Sequence, residues 1–156
     1  MSNEKFMRRA IELSMENIKS GKGGPFGAVI VKDGKIIGQG TNSVTSSNDP
    51  TAHAEMNAIR EACKALSSYQ LEGCEIYTSC EPCPMCLAAI YWSHISKVFY
   101  ANTKKDAAEI NFDDLFIYDE IAKPIHQRSK QFIQLSRSEA LEAFEMWRKS
   151  EDKKPY

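Results

Sequence analysis

Residues 74–101 read CEIYTSCEPCPMCLAAIYWSHISKVFYA. Cys74 to Thr78 is a short extended run, Pro84 to His94 is a largely apolar helical segment, and Lys97 to Ala101, with Val98, Phe99 and Tyr100, is a second extended run. A helix between two strands returns the chain to the same edge of a sheet, so these strands are expected to run parallel. Three cysteines, Cys80, Cys83 and Cys86, crowd into seven residues where the first strand gives way to the helix. That crowding points to a metal.

Upstream, residues from about Asn3 to Ser20 place Phe6, Met7, Ala10, Ile11, Met15 and Ile18 on one broad helical face, with Ser2 able to cap the start and Gly21 to Pro25 ending the helix. Phe26 to Val31 and Lys35 to Asn42 flank Asp33-Gly34, the pair best suited to a two-residue hairpin turn. Ser43 to Asp49 reads as a loop. Pro50 fits the first turn of a helix running from about Thr51 to Leu66. Downstream, Phe112 to Ile121 is apolar at helical spacing, Gln131 to Leu135 reads as a short strand, and Glu139 to Lys149 as a closing helix. The expected architecture is a three-layer α/β/α fold. Its sheet is five-stranded, mixed and mostly parallel, with one N-terminal antiparallel hairpin.

A chain of 156 residues with 42% hydrophobic and 26% charged residues suits one globular domain, since domains most often run to about 100–150 residues. Its net charge of -1 lacks the basic excess that nucleic-acid binding usually demands. Lys104, Lys105, Lys123, Arg128 and Lys130 do gather in sequence, but solvated loops are the commoner cause of such runs. The first residues lack the apolar core of a signal peptide, and no segment approaches the roughly 18 apolar residues of a membrane span. A cytosolic protein is expected, and five cysteines, an odd count, argue against a disulfide framework.

Thr51-Ala52-His53-Ala54-Glu55 opens one predicted helix and Cys80-Glu81-Pro82-Cys83-Pro84-Met85-Cys86 opens another. A catalytic zinc takes three protein ligands and leaves a fourth position to water, and Cys-x-x-Cys across a helix start lets two thiolates converge on one ion. His53, Cys83 and Cys86 supply that set, one zinc per chain. Helix N-termini favour thiolate over thiol. Glu55, two residues beyond His53, is placed to take a proton from the water and hand it to a substrate. H-x-E followed by P-C-x-x-C is the pattern of zinc enzymes that deaminate nucleobases.

Each part alone is weak, because a single His near a helix start more often caps or packs, and C-x-x-C also serves redox chemistry. An iron–sulfur run would need a fourth cysteine where Ile90 stands. A purely structural zinc normally closes its fourth position with another ligand, which leaves Glu55 without a purpose. Cys80 is assigned to packing.

The segments Gly23 to Val31, Asn48 to Glu55, Tyr77 to Cys86 and Phe112 to Tyr118 resemble the bacterial guanine deaminases of cytidine deaminase fold, and the resemblance spans nearly the whole chain. It implies hydrolysis of guanine to xanthine and ammonia by a zinc-activated water attacking C2, with Glu55 as proton shuttle. It also implies base contacts from Phe26, Asn42, Ala54, Asp114 and the closing Tyr156, and a homodimer whose C-terminal segment crosses over to the neighbour's site. The bland readings are core packing for Phe26, a turn for Asn42, and helix capping for one of Asp113 and Asp114. Guanine presents two donors, N1–H and the exocyclic amine, on the edge that approaches zinc, so a carboxylate acceptor suits it, whereas adenine presents an acceptor at N1. A tRNA adenosine deaminase shares the zinc motifs and is the alternative enzyme, followed by a deaminase of a cytosine-type heterocycle.

Overall fold

The computed structural model describes residues 3–156, so Ser2, the expected cap of the first helix, lies outside the described residues. The chain divides into two compact units, 1–115 and 116–156.

In the first unit, helix α1 (Glu4–Ser20) buries Phe6, Ala10, Leu13, Ser14 and Asn17, a stripe spaced by three and four residues. Met15 and Ile18, expected on this face, are exposed. Each lies one residue past a buried position, about 100° around the helix. Gly21, at φ 70°, ends the helix in the left-handed conformation.

Strands β1 (Gly27–Lys32) and β2 (Lys35–Thr41) form the expected hairpin. Asp33 and Gly34 both have positive φ, 49° and 73°, the backbone of a two-residue turn that matches strand twist. Pairing shifts between Ile30↔Gly38 and Val31↔Ile36, which leaves Ile37 as the extra residue of a bulge. Next come the short helix α2 (Val44–Ser47), inside the segment read as loop, then α3 (Ala54–Leu66), β3 (Glu75–Cys80), α4 (Pro84–Trp92), β4 (Lys97–Asn102) and α5 (Lys104–Glu109). α3 begins three residues later than expected, and Pro50 is not its first residue. Asp49 Oδ1 accepts from the Thr51 N–H at 2.8 Å and from its hydroxyl at 2.7 Å, which makes Asp49-Pro50-Thr51 a tight turn.

The sheet has four strands in the order β2-β1-β3-β4 among the described residues. β1 pairs antiparallel with β2 and with β3, and only β3 and β4 are parallel, so the expected mostly parallel sheet is corrected. The crossover rule itself holds: β2 and β3, joined through α3, run in the same direction, but β1 lies between them. Both faces are covered. Ala28, Ile30 and Ile76 pack with α3 and α4 residues, while Val29, Val31 and Tyr77 pack with Phe6, Ala10 and Leu13 of α1. Alternate residues of β1 and β3 thus enter opposite cores, which is why both strands read as continuous apolar runs.

The second unit contains α6 (Leu115–Ala122, beginning at the last residue of the first unit), a 3₁₀ turn at Ile125–Gln127 and α7 (Arg137–Lys149). The fifth strand expected at Gln131 to Leu135 does not form: the segment joins no ladder among the described residues, and Phe132, Ile133 and Leu135 are exposed. A short alternating apolar run becomes a strand only where a sheet edge pairs with it. Neither α6 nor α7 buries a residue.

α3 lies directly on β2. A methyl group at Gly40 would overlap the carbonyl of Ala54 and approach the Ala58 nitrogen, and one at Gly38 would lie 2.8 Å from the Ala62 nitrogen. Glycine on the strand and alanine at Ala54, Ala58 and Ala62 are therefore one device for close approach. Gly40→Ala should lower stability by about 1–3 kcal/mol, the usual cost of overpacking, read as a lower urea midpoint at unchanged slope. Turnover should fall with it, because the carbonyl that must move belongs to the first turn of α3. An unchanged midpoint would show that this contact is slack.

Candidate active site

His53 and Cys83 are the residues immediately before α3 and α4, both with extended backbone, at φ -71° and -67°. Each side chain therefore leaves a helix at its N-terminus. Pro84 occupies the first turn of α4, where its missing N–H costs nothing, and Cys83 Sγ accepts from the Cys86 N–H at 3.5 Å. His53 Nδ1 lies 3.5 Å from Cys83 Sγ and 3.5 Å from Cys86 Sγ, and the three donor atoms fall within 4.8 Å of one another.

These separations fit zinc. Bonds of about 2.3 Å to sulfur and about 2.05 Å to nitrogen at tetrahedral angles set a nitrogen–sulfur edge of about 3.5 Å. Among the described residues His53, Cys83 and Cys86 are the only such cluster. Cys80 stands apart from it, buried at the end of β3 with Sγ 3.6 Å from the Thr103 carbonyl, and burial pushes its thiol up to about 11.

The electrostatics suit a cation. The Cys86 thiol, hydrogen-bonded to Cys83 Sγ, holds the Cys83 thiol down to about 4, with His53 and the Cys86 N–H adding to the effect. Cys86, as the donor of that pair, is shifted upward for the same reason. The hydrogen bond to Cys83 raises the His53 imidazole, and Glu55 and Asp114 contribute from a greater distance. Glu55 lies in the first turn of α3 and is buried, which pushes its carboxyl upward. Ala54, between the two, is fully buried against β2.

The other expected residues occupy distinct places. Phe26 precedes β1 and meets Phe112 edge to face, with ring centroids 5.0 Å apart at 88°. Asn42 follows β2 and is buried; the N–H groups of Gly24 at 3.5 Å and Val44 at 3.3 Å both approach its Oδ1. Asp113 is exposed and accepts the Leu115 N–H at 3.0 Å, capping α6. Asp114 Oδ1 is buried with no hydrogen-bond partner, and burial pushes that carboxyl upward, with Cys83 and Glu81 adding to the shift. Tyr156 ends the second unit and is 76% exposed.

Two supporting residues escaped the sequence reading. Asn57 Nδ2 donates to the Thr41 carbonyl at 2.9 Å and to Ser43 Oγ at 3.1 Å, tying the Asn42 segment to α3. No sequence pattern marks it, because its main partner is a backbone carbonyl 16 residues away. Glu81 Oε2 accepts the Lys104 N–H at 3.0 Å and its Oε1 pairs with Lys104 Nζ at 3.8 Å, which fastens the loop before Cys83 to α5.

The family described as the cytidine and deoxycytidylate deaminase zinc-binding region matches residues 1–102. A guanine deaminase of Bacillus subtilis (strain 168) is 58% identical over all 156 residues, covering the whole of both chains. The X-ray structure of guanine deaminase from Bacillus subtilis superposes with a TM-score of 0.97, over 100% of this chain and 99% of that one. A tRNA-specific adenosine deaminase of Aquifex aeolicus is 46% identical over 105 residues, 67% of this chain and 69% of that protein. With a zinc-matched donor set at two helix starts and identity that extends through the second unit, the chain belongs to the cytidine deaminase superfamily, in the branch of the bacterial guanine deaminases.

Proposed function

We propose that the chain hydrolyses guanine to xanthine and ammonia. The observation that carries this reading is Asp114, whose buried Oδ1 has no donor in the protein. Guanine offers donors, N1–H and the exocyclic amine, where adenine offers an acceptor at N1. His53, Cys83 and Cys86 hold the zinc, which when bound acidifies a water and so supplies a nucleophile at neutral pH.

Attack on C2 opens the C2=N3 bond, and the electron pair settles on N3. Glu55 takes the proton from the water and delivers it to N3, then moves the proton of the new C2 hydroxyl to the amine as the C2–N bond breaks and the C2 carbonyl forms; burial raises its affinity for a proton. Asp114 accepts from the guanine edge and helps to pass a proton to the amine. Asn42 directs Oδ1 at two backbone N–H groups, which fixes its amide and leaves Nδ2 as a donor for a ring acceptor. Phe26, braced by Phe112, flanks the ring, and Ala54 supplies a close, smooth wall.

A tRNA substrate is disfavoured by the basic residues themselves. Lys104 pairs with Glu81, Lys123 with Glu120 at 2.5 Å, and Arg128 Nε with the Glu120 carbonyl at 3.1 Å, so the run is largely consumed within the protein. We read the whole chain as a single functional domain that works as a homodimer exchanging its C-terminal segment. α4 leaves Tyr91 and Trp92 exposed, and α7 leaves Phe144, Met146 and Trp147 exposed, large apolar side chains of the kind a partner subunit covers. We place the protein in the cytoplasm, where a reducing environment keeps Cys83 and Cys86 available to zinc; among the described residues no helix is long and apolar enough to cross a membrane.

Ammonia release from guanine, adenine, cytosine and guanosine in parallel tests the substrate, and guanine should be the preferred one. Cys86→Ala should lose zinc and turnover together, whereas Glu55→Gln should keep one zinc per chain and lose turnover; near-normal turnover by Glu55→Gln would overturn the proton route. Asp114→Ala should cut kcat/KM for guanine roughly ten- to a hundredfold, the worth of about 1.5–3 kcal/mol for a hydrogen bond to a charged group. Asp113→Ala should instead cost about 1 kcal/mol of stability with kinetics little changed. Exchange of these two phenotypes would move the carboxylate role to Asp113. Deleting Lys153 to Tyr156 should raise KM or lower kcat with zinc retained, and wild-type kinetics would dismiss Tyr156 as a base contact.

A further inference from the structure

The last full turn of α1 faces two irregular segments, Gly23–Phe26 before β1 and Asn42 after β2. One side chain joins them. Asn17 is 3% exposed, and its Nδ2 donates at 2.8 Å to the Gly24 carbonyl and at 2.8 Å to the Asn42 carbonyl. A carboxamide nitrogen carries two hydrogens, and both are spent here. The same segments meet again directly. The Asn42 N–H donates to the Phe26 carbonyl at 3.3 Å, the Gly24 N–H approaches Asn42 Oδ1, and a methyl group at Gly23 would lie 2.8 Å from that same oxygen.

We propose that Asn17 is a positioning residue for base recognition: its two-donor clamp holds Phe26 and the Asn42 amide in register, and so sets affinity for the purine without touching it. This rests on the reading that Phe26 and Asn42 meet the base. The other buried side chains of the stripe are Phe6, Ala10, Leu13 and Ser14, and Asn17 alone among them carries two donors on one atom. Both Asn17 bonds go to loop carbonyls rather than to a ladder or a helix. Few side chains fit. Asp would turn lone pairs towards two carbonyl oxygens, Ser offers one donor, and Leu offers none.

The experiment uses the zinc-loaded full chain with Asn17→Asp, Asn17→Ala and Asn17→Ser. KM and kcat for guanine, zinc content, and hydrogen exchange at the amides of 23–26 and 42–44 are measured together. The clamp predicts one zinc per chain in each variant, kcat little changed, and KM raised by about tenfold, the scale of one base hydrogen bond put out of register. It also predicts faster exchange confined to the two loops. Asn17→Asp, nearly isosteric, should be as damaging as Asn17→Ala, and Asn17→Ser should fall between either and wild type and remain measurable if the others fold poorly. If Asn17→Asp keeps a wild-type KM, Asn17 only fills space and the proposal fails. Loss confined to zinc or kcat, with loop exchange unchanged, would overturn it equally. Should the wild-type chain leave guanine untouched, the substrate reading falls by itself, and unchanged loop exchange in Asn17→Asp would then sink the clamp separately.

Discussion

Two helices must begin close enough for His53 Nδ1 to lie 3.5 Å from Cys83 Sγ and from Cys86 Sγ, and the rest of the first unit is arranged to let them. His53 precedes α3 and Cys83 precedes α4, so the donor atoms meet only if both helix starts abut the same end of the sheet. For α3 this is achieved by removing side chains. Gly38 and Gly40 on β2 face Ala54, Ala58 and Ala62, and the backbone of the helix rests on the backbone of the strand. A larger residue on either side would lift the helix and carry His53 Nδ1 out of its 3.5 Å spacing to both sulfurs. For α4 the fixing is polar: Glu81, just before Cys83, is bound to the backbone and side chain of Lys104 at the start of α5.

Abutting two helix N-termini also concentrates unsatisfied N–H groups and positive partial charge in one place. Three groups in and around the site respond to their own surroundings differently. Cys83 becomes a thiolate readily, because its sulfur receives donors from the Cys86 thiol and N–H. Glu55, in the same region, is pushed the other way by burial, in keeping with the proton-transfer role proposed for it. Asp114 is also raised by burial, but it is only partly enclosed, with a single oxygen that lacks a donor. The two carboxyls thus sit in unlike environments, which suits the division between proton transfer and recognition proposed for them.

The ligand triad was legible because ligation imposes residue type and spacing on short stretches of chain. His53, Cys83 and Cys86 are where the motifs put them, and Asp33-Gly34 makes the turn that its backbone preferences dictate. Strand order was not legible, because a crossover through α3 fixes the direction of β3 relative to β2 and says nothing about a strand lying between. Gln131 to Leu135 failed as a strand for a related reason: local alternation cannot supply a sheet edge. α5 was missed although Thr103 and Asp106 form a reciprocal capping box, a signal present in the sequence. Asn17 and Asn57 were invisible in another way. Each acts through backbone carbonyls remote in sequence, and no pattern in residue types records a carbonyl.

On the proposed reading, the carboxylate that selects the base lies outside the stretch that carries the zinc motifs. The matched zinc region covers 1–102, whereas Phe112, Asp113 and Asp114 follow α5. Asp113 spends its carboxylate on the Leu115 N–H and so fixes the turn that starts α6; Asp114, next in sequence, is thereby committed to a position where the protein offers its Oδ1 nothing. A buried acceptor without a donor costs about 1–3 kcal/mol. On the proposed reading a purine edge with two adjacent donors would offset that cost, where an acceptor at N1 would deepen it. If Asp114 meets the base as proposed, discrimination against adenine needs no additional bulk in the pocket, since the penalty is electrostatic and is already present in the free protein.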